Sequence, residues 1–256
     1  MNNLTKTSSP ITIYASHTCE DTAITLDRLN ALGVNAVTRW KEDEADVVRI
    51  LEKYNHGQGR TPTVVFGLDE MVLIEPTIDE LEAALLHAGY EIKPPSAIEF
   101  NSALASRLVP WFELPTTDGD KVSPANLRGR QRTVLFFAHD ELCLVCQGYA
   151  KQLAAHRVAF AEFEARPLFV LQANGDCAKH WAEEFARGVT VLADAEGKVM
   201  HAFADYFAVA HKGVMLLILD KFAAPRQGLF APDAGGLLSQ REIEAWLRVL
   251  DCECSE

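Results

Sequence analysis

Two cysteines, Cys143 and Cys146, stand three residues apart where an apolar run hands over to a helical pattern. The run Val134 to Ala138 reads as a buried strand, His139-Asp140-Glu141 as a short polar turn, and the residues from Cys146 onward as a helix. A thiol at the start of a helix meets unpaired backbone N–H groups and the positive end of the helix dipole, and both favour the thiolate. A thiolate attacks peroxides or disulfides, and a second cysteine one turn away closes on the first and releases the product. Which of Cys143 and Cys146 attacks first is left open by the spacing. Two competing readings of the pair are structural cysteines and part of a metal site. With Cys252 and Cys254 the pair would supply four thiolates for zinc, although one residue between ligands is a less usual spacing than two to four.

The other candidates are spread along the chain. Cys19 follows a short alternating strand, Ile11 to Ala15, and precedes a helical pattern carrying Ile24, Leu26, Leu29 and Leu32. Cys252 and Cys254 close the chain after a helix whose Ile243, Trp246, Leu247 and Leu250 share one face, with Ser239 as its N-cap. Cys-x-Cys forms a small-ring disulfide that is easily reduced, so this tail is a candidate resolving or relay element. Cys177 reads as a bystander at a strand-to-helix turn. His139 is a candidate modulator of the Cys143–Cys146 pair, and His17 a weaker one for Cys19. Tyr149 and Trp181 read as core.

The elements that must position these residues fit a chain of 256 residues in two units. Its 48% apolar and 23% charged content is that of a globular protein. A net charge of −12 argues against nucleic acid and anionic membranes, because little in it would neutralise phosphate in bulk. No apolar run approaches the roughly 18 residues of a membrane span. The first residues lack the apolar stretch of a signal peptide. A cytoplasmic location is expected, and there cysteines are more often catalytic or metal-binding than structural disulfides.

Residues 8–92 read as strand, helix, strand, helix, strand, strand, helix. The strands are Ile11–Ala15, Val34–Trp40, Thr63–Phe66 and Met71–Ile74, and the helices are centred on Leu29, Leu51 and Leu85. This order resembles the smallest form of the thioredoxin fold. The stretch Asn55-His-Gly-Gln-Gly-Arg60-Thr61-Pro62-Thr63 resembles the loop before the cis-proline of glutaredoxins, especially the mycoredoxin branch. Glu75-Pro76-Thr77 resembles that family's last helix start, and Cys19 falls where its nucleophile belongs. The resemblance implies a cis Pro62, and a substrate-binding role for Thr61 and Pro62. Dithiol members of the family carry a second cysteine at the position of Thr22, so this domain would be monothiol. Glu20 and Asp21 in the first turn suit the helix dipole but oppose a thiolate at Cys19.

Residues 93–107, with Pro94-Pro95, read as a stiff linker followed by a short helix. Residues 108–256 open with a hairpin around Asp118-Gly119. They continue through the strand at Val134, a helix from about Cys146 to Arg166, a strand Leu168–Gln172, a helix Lys179–Arg187, the stretch Val189–Asp194 and a long apolar strand Val214–Asp220. This order, with Pro110-x-Phe112-x-Leu114 ahead of Asp-Gly, resembles the alkyl hydroperoxide reductase/thiol-specific antioxidant group, the peroxiredoxin-like proteins. That family's Pro-x-x-x-Thr/Ser-x-x-Cys reads here as His139-x-x-x-Cys143-x-x-Cys146, and no arginine lies between Arg187 and Arg226 to match the one the family places near the central strand.

The expected fold is therefore α/β: two tandem thioredoxin-like domains, each a central mixed sheet flanked by helices. The expected function is that of an antioxidant-type oxidoreductase in cell redox homeostasis. It would reduce hydroperoxides or protein disulfides through a redox-active Cys143–Cys146 disulfide, with the glutaredoxin-like domain as electron donor. The alternatives are a thiol-disulfide reductase without peroxidase activity and a non-enzymatic redox-dependent binding protein. The expected reductant is a low-molecular-weight thiol of the glutathione or mycothiol type, or a thioredoxin-type protein. No metal or other cofactor is expected, and a homodimer is compatible with the reading.

Overall fold

The structure is a computed structural model, and it describes residues 9–92, 98–99, 107–129 and 131–253. The chain divides into two compact units, residues 1–95 and 96–256. Among the described residues no helix is long and apolar enough to cross a membrane.

The first unit runs β1 (Ile11–Ala15), α1 (Glu20–Ala31), β2 (Val37–Trp40), α2 (Ala45–Tyr54), β3 (Thr63–Phe66), β4 (Met71–Ile74) and α3 (Ile78–His87). The sheet order is β2-β1-β3-β4, with β1 and β2 parallel and β3 antiparallel to both β1 and β4. Alternate residues Ile11, Ile13 and Ala15 enter one core with Leu29, Val64, Phe66, Leu81 and Leu85. The second strand begins three residues later than the sequence suggests. Gly33, at φ +70°, stops α1, and Val34 donates its N–H back to the Leu29 carbonyl, so Val34 closes the helix instead of opening the strand. Helix α2 begins at Ala45; ahead of it the Glu42 carboxylate accepts from the Ser16 hydroxyl at 2.5 Å. Thr77 caps α3 reciprocally: its hydroxyl accepts from the Glu80 N–H, and the Glu80 carboxylate accepts from the Thr77 N–H.

The second unit runs β5 (Ile98–Glu99), β6 (Leu114–Pro115), β7 (Lys121–Val122), α4 (Pro124–Leu127), β8 (Arg132–Ala138), α5 (Leu144–Ala155), α6 (Arg157–Ala161), β9 (Ala165–Leu171), α7 (Gly175–Phe185), β10 (Thr190–Ala193), α8 (Lys198–Phe207), β11 (Val214–Leu219), β12 (Pro225–Ala231) and α9 (Gln240–Glu253). The main sheet has the order β10-β9-β8-β11-β12-β5, in which β8, β9 and β10 are parallel and the others antiparallel. Strand β8 is buried on both faces, which is why Arg132 to Ala138 reads as a nearly continuous apolar run. Phe136 packs on Tyr149 of α5 and Phe169 of β9, while its neighbour Phe137 packs on Phe203 of α8.

Several expectations for this unit are corrected. The long helix expected to reach Arg166 ends at His156, the C-cap of α5; a second short helix follows, and Glu164 at φ +49° turns the chain into β9. Helix α7 starts four residues early because Asn174 caps it, accepting from the Cys177 N–H. Strand β12 was not anticipated. Ile98 and Glu99, within the expected linker helix, pair with Phe230 and Leu229 as a strand; Pro94, Pro95 and the rest of that helix lie outside the described residues.

Arg132 ties the start of β8 to the end of α9. Its guanidinium, 1% exposed, donates to the Phe163 carbonyl at 2.6 Å, the Leu250 carbonyl at 3.0 Å and the Asp251 carboxylate at 3.1 Å. Replacing it removes these bonds and leaves the buried Leu250 carbonyl without its guanidinium donor. Arg132→Ala is expected to destabilise the second unit by about 3 kcal/mol, measured as the shift in its urea transition. A loss under about 1 kcal/mol would show that the tie contributes little.

Candidate active site

The site forms where β8 ends and α5 begins. His139 follows the last residue of β8, Cys143 is the N-cap of α5, and Cys146 lies in its first turn. The intervening loop is held from both sides: Asp140 accepts from the Leu142 N–H at 2.9 Å, and the Gln147 side chain donates to the Glu141 carbonyl at 2.6 Å. Cys143 is half-buried and Cys146 fully buried, and both are free thiols. His139 Nδ1 lies 3.6 Å from Cys143 Sγ and 3.7 Å from Cys146 Sγ, with Asp233 Oδ1 4.0 Å from the same nitrogen.

The two sulfurs are driven apart in acidity. The Cys143 thiol is lowered to about 5, first by the hydrogen bond from Cys146, then by that of His139 and by the Cys146 backbone N–H, against a desolvation cost. Cys146 is pushed up, first by burial, then by its hydrogen bond to Cys143 and by the charge there. His139 is raised, chiefly by its hydrogen bond to Cys143. The arrangement is a thiolate beside an imidazole, backed by a neutral buried thiol.

A cleft of about 500 Å³ opens on Cys143 and His139, with Leu142, Met200, His211 and Lys212 also lining it. Leu142 is 79% exposed at its rim. Gly213 forms part of the wall at φ +147°, where a Cβ would stand 2.4 Å from the Phe230 ring and 2.6 Å from the Ala231 carbonyl oxygen, so only glycine fits. His211 is engaged by Asp205 at 2.6 Å and stacks on His201. Arg226 pairs with Asp220 across the β11–β12 turn, at the far end of β11 from Gly213, and does not reach the cleft. Asp233, Met200 and Gly213 carried no sequence signal beyond a glycine ahead of an apolar strand.

The remaining candidates do not gather here. Cys252 is exposed in the last turn of α9, next to Asp251, which Arg132 holds at the start of β8. The seven residues of β8 put roughly 20 Å between that end and His139. The structure thus does not bring Cys252 to the pair; Cys254 lies outside the described residues. Cys177, in the first turn of α7, is half-buried.

In the first unit, Cys19 is the N-cap of α1, and its thiol donates to the Thr61 carbonyl at 3.0 Å. The Thr61–Pro62 peptide is cis. Thr22 is buried, its hydroxyl accepting from the Ser16 N–H at 3.5 Å. His17 is engaged away from Cys19, stacked on Trp40 and paired with Asp43 at 3.1 Å.

The class that fold and family comparison define is a thiol oxidoreductase on a thioredoxin-like scaffold, with Cys143, Cys146 and His139 as its candidate site. Residues 106–219 match the AhpC/TSA family model, so the second unit carries a peroxiredoxin-like AhpC/TSA domain. A search of the curated proteins returns no match. Among solved structures, the chain is similar to the peroxidoxin BcpB from Mycobacterium tuberculosis, at 19% identity over 57% of this chain and 94% of that one, TM-score 0.47. It is also similar to AhpC from Enterococcus faecalis, at 18% identity over 59% and 92%, TM-score 0.47. A third, dsbF of MTB, shares 22% identity over 59% and 98%, TM-score 0.42.

Alkylation of Cys143 should follow its thiolate fraction, rising as pH climbs through about 5 and levelling above it. Cys146→Ala and His139→Asn should each move that midpoint upward, Cys146→Ala further, because each removes a hydrogen bond to the charged sulfur. Iodoacetamide rates resolved by peptide mass spectrometry check this, and a midpoint unmoved by either change would contradict it.

Proposed function

We propose that the chain is a dithiol oxidoreductase in which Cys143 attacks an oxidised substrate and Cys146 resolves the product. The observation that carries this is the asymmetry of the pair: one sulfur ionised on the cleft, its neighbour protonated and buried 3.7 Å from His139. With a disulfide, the Cys143 thiolate displaces one sulfur as a thiolate and forms a mixed disulfide. Cys143 then no longer carries charge, so the charge that opposed ionisation of Cys146 is gone. His139, which had donated to the Cys143 thiolate, gives that proton to the first departing thiolate and, in contact with both sulfurs, then takes the Cys146 proton. Cys146 then attacks Cys143 Sγ, the internal disulfide forms, and the second substrate thiolate leaves.

Disulfide exchange is the reaction this geometry supports best. An open cleft with Leu142 and Met200 beside the thiolate suits a peptide segment, and among the described residues no arginine lines it to stabilise an alkoxide leaving from a peroxide. The AhpC/TSA match favours a second reading. There Cys143 attacks a hydroperoxide, becomes a sulfenic acid as the alcohol leaves, and condenses with Cys146 with loss of water.

Electrons would return from a low-molecular-weight thiol of the glutathione or mycothiol type, through Cys19, or from a thioredoxin-type reductant. Cys19 beside the cis Thr61–Pro62 peptide supports the first unit as a monothiol glutaredoxin-like donor. The absence of a cysteine at Thr22 means such a donor cycles with an external thiol. A reducing, cytoplasmic setting suits this cycle.

Insulin reduction under dithiothreitol and hydrogen peroxide consumption, run on one preparation, separate the two substrates. Cys143→Ser is expected to abolish turnover, and Cys146→Ser to stop after the first step with a covalent adduct on Cys143. Cys19→Ser should lower glutathione-supported turnover and leave dithiothreitol-supported turnover unchanged. An adduct trapped on Cys146 instead would reverse the assignment, and turnover intact in Cys143→Ser would remove it.

A further inference from the structure

The same three side chains have a second capacity that does not depend on the redox reading. His139 Nδ1, Cys143 Sγ and Cys146 Sγ lie within 4.8 Å of one another, and among the described residues they are the one such group of potential metal ligands. Zinc takes sulfur at about 2.3 Å and imidazole nitrogen at about 2.0–2.1 Å, so a tetrahedral ion separates a nitrogen from a sulfur ligand by roughly 3.6 Å. The nitrogen here stands 3.6 and 3.7 Å from the two sulfurs. One nitrogen faces both sulfurs, as a single ion between them requires.

We propose that the reduced protein binds one zinc ion through His139, Cys143 and Cys146, with a fourth position open to the cleft. The ligand set is two thiolates and one imidazole, the soft and borderline donors zinc selects over magnesium or calcium. The backbone holds all three in place: His139 directly follows β8, Cys143 caps α5, and Cys146 sits within its first turn. His139 and Cys143 line the cleft, so an ion can arrive from solvent although Cys146 is buried, and the open position takes water or an external thiolate. The tail plays no part through Cys252, which lies at the opposite end of β8. The four-thiolate site that the sequence allowed is therefore replaced by one that uses the histidine of the turn.

Zinc binding and disulfide formation exclude one another, because zinc needs both sulfurs as thiolates and the disulfide is their two-electron oxidation product. Metal-loaded protein would hold its dithiol in a form that disulfides do not oxidise readily. Formation of the Cys143–Cys146 disulfide, with a substrate disulfide reduced to two thiolates, would release the ion.

The test is a zinc titration of the reduced full-length chain against a chromophoric chelator, with bound metal counted by elemental analysis. One zinc per chain is expected, and none after oxidation of the pair. Cys143→Ser and Cys146→Ser should each lose the ion, and His139→Asn should weaken it by more than about tenfold. Cys19→Ser and the double change Cys252→Ser, Cys254→Ser should leave it unaltered. Cobalt substituted for zinc should show tetrahedral ligand-field bands and thiolate charge transfer, a readout independent of activity. Circular dichroism of each variant separates loss of a ligand from loss of the fold. Three results would overturn the proposal: no binding at micromolar zinc, binding retained in the Cys143→Ser, Cys146→Ser double variant, or affinity indifferent to His139→Asn in a folded protein.

Discussion

Two sulfurs held this close cannot both carry charge at neutral pH, and the site follows from which of them does. The first negative charge settles where it is best solvated, and the second thiol then ionises against it. Cys143 has the cleft, the Cys146 N–H and His139; Cys146 has the packed interior. The consequence is a built-in order of events. In the proposed reaction, consuming the charge on Cys143 permits Cys146 to ionise, so the resolving step would wait for the attacking step without any moving part.

The scaffold exists to hold that asymmetry. Strand β8 is buried on both faces and delivers His139 at a fixed height above the sheet, while the Phe136–Tyr149 contact sets α5 against it. On the opposite side of the cleft, β11 begins immediately after Gly213, where the Ala231 carbonyl and the Phe230 ring leave no room for a side chain. At the other end of β8, Arg132 closes the unit by fastening α9. The two ends of one strand thus divide the labour: the C-terminal end carries the chemistry and the N-terminal end the tie. That division is also why the cysteine-bearing end of α9 is held so far from the pair.

Much of this was legible in the sequence, for physical reasons. A doubly buried strand must be an apolar run, and a helix start that carries chemistry must interrupt the helical pattern with polar turn residues; Val134 to Cys146 shows both. The first unit's strands and helices alternate in hydrophobic period and could be placed within a few residues. What could not be read were features without a local signature. Gly213 is required by Phe230 and Ala231, which lie across a strand pair, and Asp233 reaches His139 only because β12 returns beside β11. Strand β12 itself, Pro225 to Ala231, begins with proline and contains a glycine, so neither propensity nor alternation announced it. Cys-x-Cys after a helix suggests mobility toward a partner; for Cys252 the sequence does not reveal that a buried Arg132 holds this end of α9 at the start of β8.

The chain also contains its own control for what a helix N-terminus does alone. Cys19 and Cys143 are both N-caps of a helix that follows a central strand, so both meet the same backbone field. Their sulfurs nevertheless face opposite partners. Cys143 receives hydrogen bonds from a thiol, an N–H and an imidazole, all of which favour the anion. Cys19 points at the Thr61 carbonyl, an acceptor, and can make that bond only as a donor; Glu20 and Asp21 add negative charge nearby. The shared fold position therefore does not fix reactivity. The neighbours at Thr61 and at His139 do, and they make Cys143 the sulfur poised as an anion before any substrate is bound.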